Sequence, residues 1–181
     1  MEILEAEERK LLVKGFEYFH KSLSESTLFD EKYFIELHWK TFNKLYNIAG
    51  KYGTVNISKN YTNFCQVRFL DQTSKNIFNR LAAEKYLKDY STKSKDEFAK
   101  KIAFYMCKLI ALHPFYELNG RITRLFFDMI ATYNGYEYID YNAALKLEGG
   151  ENKFIKASID CMLGNDYEMY QIVFNGLIKS V

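Results

Sequence analysis

The sequence predicts a mainly α-helical protein, and its composition and spacing support this fold class. Only one proline, Pro114, occurs in 181 residues, and paired glycines are rare, so few positions interrupt a helix. Apolar residues recur at the three- and four-residue spacing of a helix along most of the chain. Hydrophobic residues make up 48% of the chain and aromatic residues 17%, which supplies a core and excludes an intrinsically disordered protein. The length predicts a single domain over residues 1–181.

The charge balance and the hydropathy exclude two classes of partner. The chain has 25 Lys and Arg residues against 23 Asp and Glu residues, and a net charge of +2 is too small and scattered for a nucleic-acid-binding surface. The longest apolar stretch, 102–112, is interrupted by Lys108 and is shorter than the roughly 20 residues that span a bilayer. We therefore expect neither nucleic acid nor a membrane as a partner.

The N-terminal segment and the cysteines predict a cytoplasmic protein. Residues 1–10 are rich in glutamate and lack the basic and then apolar pattern of a secretory signal. Cys65, Cys107 and Cys161 are odd in number and far apart, without the paired spacing of a zinc or redox site. We expect buried free thiols in a reducing compartment.

The first half of the chain predicts two helices followed by a hairpin. The first helix has an apolar stripe through the first twenty residues, and Asp30 can cap a second helix that ends near Ala49-Gly50. From Thr54 to Phe69 the chain instead alternates, around a polar turn at 58–60. The apolar positions of this alternation are Val55, Ile57, Cys65, Val67 and Phe69. This segment is the one candidate β-hairpin.

The second half predicts further helices. Helical spacing resumes over 77–87, and Ser94 with Glu97 forms a capping box that opens a helix ending just before Pro114. Another helix begins near Gly120 and ends before Gly135. Breaks at 149–150 and 164–166 separate two final helices, 152–161 and 167–178.

One polar segment, residues 113–124 (HPFYELNGRITR), lies between two strongly apolar helices. Asn119 and Gly120 stand at a helix start, where unpaired backbone amides and the helix dipole favour an anion. Arg121 and Arg124 are three residues apart, so both can bind the oxygens of one polyphosphate.

Two further side chains in this segment can take part in chemistry. Glu117 can hold Mg²⁺ beside phosphate oxygens, and His113 can accept a proton from an attacking hydroxyl. Each residue alone also has a structural explanation, for example a buried histidine, a solvated glutamate or a surface ion pair. Only the combination indicates a nucleotide site.

The segment resembles the signature of the Fic family, His-x-Phe-x-(Asp/Glu)-Gly-Asn-Gly-Arg-x-x-Arg. The matching residues are His113, Phe115, Glu117, Asn119, Gly120, Arg121 and Arg124. The resemblance extends upstream, because residues 49–58 look like the family's segment leading into its target-binding hairpin, the flap. His38 also resembles a family position with a structural role. The resemblance covers about residues 30–180.

The resemblance implies an all-α core with a short β-hairpin flap, and a protein adenylyltransferase that moves AMP from ATP to a Ser, Thr or Tyr hydroxyl. His113 would be the base and Glu117 the ligand of Mg²⁺, with ATP as co-substrate. The residues implied to bind the phosphates are Asn119, Gly120 and Arg121, with Arg124 on the terminal phosphate.

The flap, at about 57–68, would bind a protein target as an extra strand, an arrangement that reads backbone more than side chains. The target-binding residues implied there are Ile57, Ser58, Cys65, Gln66 and Val67.

Two positions depart from the family pattern and leave alternatives open. Leu118 replaces the usual glycine, and its side chain restricts the backbone and adds bulk close to where phosphates would approach. A phosphotransferase, or a degenerate module that binds a nucleotide or a partner without turnover, is therefore an alternative to AMP transfer. Gly53 stands where relatives usually have arginine.

The resemblance also bears on regulation. Many family members are silenced by a helix bearing (Ser/Thr)-x-x-x-Glu-(Gly/Asn), whose glutamate pairs with the second motif arginine. Here only Thr27 to Glu31 has the spacing, and Lys32 follows in place of Gly or Asn, so the segment is better explained as a helix start. The resemblance then implies a toxin whose small antitoxin-like partner supplies the helix, with Arg124 unpaired in this chain.

Overall fold

The mainly α fold class is confirmed by a computed structural model, which describes residues 2–59, 62–148 and 151–180. Within these ranges the helices are α1 (Glu2–Ser22), α2 (Glu31–Phe42), α3 (Val67–Ala83), α4 (Lys95–Leu112), α5 (Asn119–Tyr133), α6 (Asn142–Leu145), α7 (Lys153–Met162) and α8 (Tyr167–Gly176), with a 3₁₀ turn at Lys85–Leu87. Two antiparallel hairpins pair β1 (Ser58–Lys59) with β2 (Thr62–Asn63), and β3 (Leu147–Glu148) with β4 (Glu151–Asn152). No helix in the described ranges is long and apolar enough to cross a membrane.

Helix α4 lies at the centre of the core and contacts α3, α5, α7 and α8. Its inward face is fully buried at Phe98, Ile102 and Met106, and α5 contributes Ile122 and Phe126 to the same cluster. Burying one such side chain stabilises the fold by about 1.5–3 kcal/mol, so this pair of helices is firmly held. The loop between α4 and α5 therefore starts and ends on two helices that are packed into the core.

Two predicted helix caps are confirmed. Asp30 Oδ1 accepts a hydrogen bond from the Tyr33 amide at 2.8 Å, and Ser94 Oγ accepts one from the Glu97 amide at 3.1 Å. Helix α2, however, ends at Phe42 and not near Ala49-Gly50. The chain turns back instead, because the Gly50 amide donates to the ring of His38 on α2.

The predicted hairpin is present but shorter than expected. Ser58 pairs with Asn63, and the predicted turn includes residue 60, which lies outside the described ranges. Val67 and Phe69 were predicted in the second strand, and this is wrong, because α3 begins at Val67. The Val67 amide donates to Asn56 Oδ1 at 2.9 Å, which fixes the chain at the start of that helix.

The hairpin of β3 and β4 was not predicted. Its two-residue strands are too short for an alternating pattern to be visible in the sequence. The break predicted at 149–150 lies outside the described ranges.

The prediction of free thiols is wrong for two of the three cysteines. Cys107 on α4 and Cys161 on α7 form a disulfide with an S–S distance of 2.01 Å, while Cys65 is free and partly exposed. The two bonded residues are 54 positions apart in sequence, and only the packing of α4 against α7 brings them together. Their spacing in the sequence therefore could not reveal the bond.

Candidate active site

The loop between α4 and α5 leaves one helix and enters the next through left-handed backbone. His113 has φ +46° and ψ +56°, and its amide still donates to Leu109 O at 3.1 Å, which closes the last turn of α4. Leu118 has φ +67° and ψ +12° and precedes the first residue of α5. These two turns project the loop from the ends of the two central helices.

Asn119 holds the loop together from within. Its Oδ1 accepts from the Phe115 amide at 2.9 Å, and its Nδ2 donates to Phe115 O at 2.7 Å. Both residues are buried, with Phe115 completely inaccessible to solvent. The side chain of Asn119 is thus used structurally, which leaves its backbone amide for the predicted phosphate contact.

His38 supports the same loop from α2. Its Nδ1 accepts from the Gly50 amide at 2.9 Å, so the N–H is on Nε2, which donates to Glu117 O at 3.1 Å. The imidazole also stacks on Phe115 with the ring centroids 4.0 Å apart. These contacts give His38 the structural role expected from the sequence, and burial lowers the pKa of its imidazole.

The lowered pKa of His38 predicts a loss of stability in mild acid. As the pH falls below about 6.5, the unfolded chain takes up a proton at this residue before the folded chain does. The contribution of neutral His38 to the free energy of unfolding should therefore be fully present above that pH. It should decrease as the pH falls from there towards the lower pKa of the folded state. Urea unfolding from pH 7.5 to 5.5 checks this, with a shallower slope expected for His38→Gln. An unchanged slope in that variant, matching the exposed control His20→Gln, would contradict the prediction.

Four predicted site residues line one cavity of about 260 Å³. They are His113, Asn119, Gly120 and Arg124, and the rest of the lining is mainly apolar, with Phe64, Ile110, Phe154, Ile155, Ser158, Ile159 and Met162. The cavity thus combines a helix N-terminus, one guanidinium and one imidazole with an apolar wall. A group with a flat apolar part and an anionic part fits this lining.

Arg124 is the cation of this cavity. Its guanidinium carbon lies 4.9 Å from the ring centre of Phe154 and 5.9 Å from that of Tyr141. Burial lowers its pKa, although an arginine remains protonated at neutral pH. None of the ion pairs between described side chains involves Arg124. Glu31 accepts hydrogen bonds from Tyr52 and Ser74 instead.

Arg121 lies apart from this cavity and pairs with a glutamate that the sequence analysis did not single out. Its guanidinium donates to Glu8 of α1, whose carboxylate also accepts from the Tyr46 hydroxyl. Glu8 is only 6% exposed, and its hydrogen bond raises the pKa of Tyr46 to about 12. A signal was available, because Glu8 precedes Leu12 by one turn on an apolar stripe, where a charge requires a buried partner.

Residues 28–131 match the family model described as Fic/DOC family. The chain belongs to the Fic/DOC family. Protein adenylyltransferase VbhT of Bartonella schoenbuchensis is 31% identical over 167 residues, which cover 92% of this chain and 33% of VbhT. The probable protein adenylyltransferase y4lH of Sinorhizobium fredii is 32% identical over 108 residues, 60% of this chain and 55% of that protein. The chain thus spans a third to about half of these relatives.

A solved structure has the same fold. BepC, a VirB-translocated effector of Bartonella tribocorum with bound AMPPNP, aligns with a TM-score of 0.83 over 99% of this chain and 89% of that chain. The sequence identity is 21%, so the likeness concerns the fold. The helical core with a flap hairpin implied by the sequence resemblance is therefore the fold of this chain.

The flap of this Fic chain is attached beside the loop between α4 and α5. The Cys65 amide donates to Ala111 O in the last turn of α4 at 3.0 Å, and Ile57 O accepts from the Phe64 amide at 3.3 Å. Phe64 stacks on the imidazole of His113, a contact that the sequence analysis missed. Of the other predicted flap residues, Ser58 lies in β1 and Gln66 is the cap of α3.

Gly53, the second departure from the family pattern, lies where the flap begins. Its amide donates to Pro114 O at 2.7 Å, which connects the flap base to the loop. A Cβ placed on Gly53 would meet its neighbours at 3.7 Å or more, an ordinary van der Waals separation. Packing around the Cα therefore does not require glycine here.

The left-handed backbone of Leu118 explains why glycine suits this position in the family signature. The side chain is partly buried against the core, and it is not among the residues that line the His113 cavity in the described part of the chain. The cost of Leu118 is thus conformational, since an L-residue in this region loses about 1–2 kcal/mol.

Replacing Leu118 by glycine and by alanine should separate backbone strain from lost packing. Both variants lose the contacts that Leu118 makes beyond its Cβ, but only glycine adopts φ +67° without strain. We expect Leu118→Gly to be more stable than Leu118→Ala by about 1 kcal/mol in urea unfolding. The matched pair Lys75→Gly and Lys75→Ala, at an exposed position in α3, should show the opposite order. Equal stabilities of the two Leu118 variants would contradict the strain.

Proposed function

We propose that this Fic chain is a protein adenylyltransferase that transfers AMP from ATP to a Ser, Thr or Tyr hydroxyl of a target protein. The observation that supports this most is the shared cavity of His113, Asn119, Gly120 and Arg124 at the N-terminus of α5. The relatives VbhT and y4lH are named adenylyltransferases, and the BepC structure contains an ATP analogue. A residue set of this kind supplies a base, an anion site and a cation side by side.

In the proposed reaction, the target hydroxyl attacks the α-phosphorus of ATP. A new bond forms from the hydroxyl oxygen to that phosphorus, the bond to the α,β-bridging oxygen breaks, and pyrophosphate leaves. His113 takes the hydroxyl proton as a general base. The amides at the start of α5, including those of Asn119 and Gly120, stabilise the negative charge on the phosphates.

The two arginines would have different roles in binding ATP. Arg124 lines the cavity, where its guanidinium would bind the terminal phosphate. Arg121 stays a predicted phosphate ligand, although its guanidinium now pairs with Glu8. Its contribution would require that pair to rearrange, or would be limited to its backbone.

The residues present fit Mg²⁺ as a cofactor. Glu117 is exposed in the loop, and its side chain is the one carboxylate that the motif places beside the anion site. The described residues contain no cluster of three or more metal-ligating side chains. Mg²⁺ is commonly held by one or two carboxylates together with substrate phosphates and water, so Glu117 alone suffices as the protein ligand. When bound, the ion would neutralise phosphate charge while Glu117 holds it.

The flap would hold the target beside the base. Its hairpin ends at Asn63 and continues into Phe64 next to His113, so a strand added along Ile57 and Ser58 would pass the cavity. Cys65, Gln66 and Val67 would fix the base of the flap through Ala111 and Asn56. Because the flap would bind backbone atoms of the target, it would place few restrictions on the target's side chains.

Further parts of the proposal concern the biological setting. The family resemblance supports a separate antitoxin-like protein, which would supply an inhibitory helix whose glutamate pairs with Arg124. A single Fic domain over residues 1–181 and a cytoplasmic location remain predictions from the sequence. The Cys107–Cys161 bond argues against the location, because disulfides are rare in a reducing cytoplasm.

The test of the proposed activity is a pair of incubations with ATP labelled on the α- or the γ-phosphate. With Mg²⁺ and bacterial lysate proteins as acceptors, we expect protein-bound label from the α position only, and its loss in His113→Asn. Label from the γ position would instead indicate the phosphotransferase alternative. Binding of ATP with no transfer from either position would indicate the degenerate module, and both results would contradict the proposal.

A further inference from the structure

We infer that Phe64, on the flap, is a positioning residue for the imidazole of His113. The two rings are stacked with centroids 3.7 Å apart and an interplanar angle of 15°, and both line the same cavity. This inference rests on the proposed role of His113 as the base. It adds a residue outside the loop motif to the reaction.

Phe64 is held over His113 by backbone hydrogen bonds on both sides. Its own amide donates to Ile57 O at 3.3 Å across the flap, and the next amide, of Cys65, donates to Ala111 O at 3.0 Å. Ala111 is two residues before His113 at the end of α4, so the flap is attached close to the base. The Phe64 side chain therefore approaches the imidazole from a fixed backbone.

The stack suits a histidine that must accept a proton. Phe64 covers a face of the imidazole, whereas proton exchange occurs at the ring nitrogens in the plane, so the contact restricts ring rotation without occupying the reacting atoms. Proton uptake makes the imidazole a cation, and the face of an aromatic ring attracts a cation. Phe64 would thus both orient the base and stabilise its protonated form.

The position of Phe64 also links target binding to base alignment. The hairpin that would receive the target strand is followed directly by Phe64, the residue that stacks on His113. A target seated on β1 and β2 would fix the flap and, through Phe64, the imidazole. Loss of the aromatic ring should then lower the rate of transfer more than it lowers the affinity for ATP.

Kinetics of two Phe64 variants test this role. Phe64→Leu keeps an apolar side chain in the cavity wall without a ring, and we expect its maximal rate of α-label transfer to fall about 10-fold, a larger change than that in the KM for ATP. Phe64→Tyr keeps the ring and should stay within about 3-fold of the wild type. Equal rates for Phe64→Leu and wild type, or equal losses in both variants, would overturn the positioning role.

A spectroscopic measurement tests the stack without relying on activity. The chain has three histidines, so ring signals of isotope-labelled histidine can be assigned with His113→Asn. We expect upfield ring-current shifts at His113 that are lost in Phe64→Leu and kept in Phe64→Tyr, with the His38 signals unchanged in both. Unmoved His113 signals in Phe64→Leu would overturn the inference, whereas absence of transfer by the wild type would contradict the proposed function alone.

Discussion

Replacing His113 with asparagine is expected to lower AMP transfer by about 10² to 10⁴-fold while leaving ATP binding intact. Among the described residues that line the cavity, His113 has the side chain that can accept a proton near neutral pH, since the other polar side chains there are a guanidinium, an amide and the Ser158 hydroxyl. Asparagine is the better replacement than alanine, because it tolerates the left-handed backbone that ends α4 at this position. The measurement is the initial rate of protein labelling by α-labelled ATP, together with calorimetric titration of ATP.

A second histidine provides the control for this experiment. His20 is exposed on α1 and takes no part in the cavity, so His20→Asn should transfer AMP at the wild-type rate. The free energy of unfolding of His113→Asn should also lie within about 1 kcal/mol of the wild-type value, because the substituted residue closes a helix and is not in the core. Full turnover by a folded His113→Asn protein would remove this residue as the base. Loss of ATP binding in the variant would instead assign His113 to the nucleotide site.

The parts of the site that the sequence revealed are those that lie close together along the chain. His113, Asn119, Gly120 and Arg124 share one loop and the first two turns of one helix, so local geometry brings them to a single cavity. The apolar spacing of the helices likewise depends on local periodicity, which is why α4 and α5 were predicted nearly to their ends.

The parts that the sequence did not reveal depend on packing between distant elements. Glu8 meets Arg121 across 113 positions, and Phe64 meets His113 only because the flap is attached to the end of α4. The sequence analysis placed the end of α2 too late. The hydrogen bond from the Gly50 amide to His38 joins a turn to a helix face, and local periodicity does not reveal such a contact. In each case the deciding interaction joins residues that no spacing rule relates.

The pair of Arg121 and Glu8 should have a large effect on stability. Removal of the guanidinium in Arg121→Met leaves the Glu8 carboxylate, 6% exposed, with only the Tyr46 hydroxyl as a partner. An uncompensated buried charge typically costs 3–5 kcal/mol, and the remaining hydrogen bond favours the lower end, so we expect a loss of about 3 kcal/mol. Glu8→Gln should cost about 1 kcal/mol, because the Arg121 side chain is 30% exposed and can reach water.

Urea unfolding of the two single variants and of the double variant Glu8→Gln, Arg121→Met measures this coupling directly. We expect the double variant to lose less than the sum of the singles, since glutamine removes the charge that Arg121→Met leaves unpaired. Lys10→Met is the matched control, because Lys10 forms an exposed ion pair with Glu7 and should change stability by less than about 1 kcal/mol. If Arg121→Met matched Lys10→Met in stability but lost ATP affinity, the guanidinium would belong to the phosphate site. If Arg121→Met lost stability but kept its affinity for ATP, the role of Arg121 would be structural. Its ion pair with Glu8 would then hold α1 against α5.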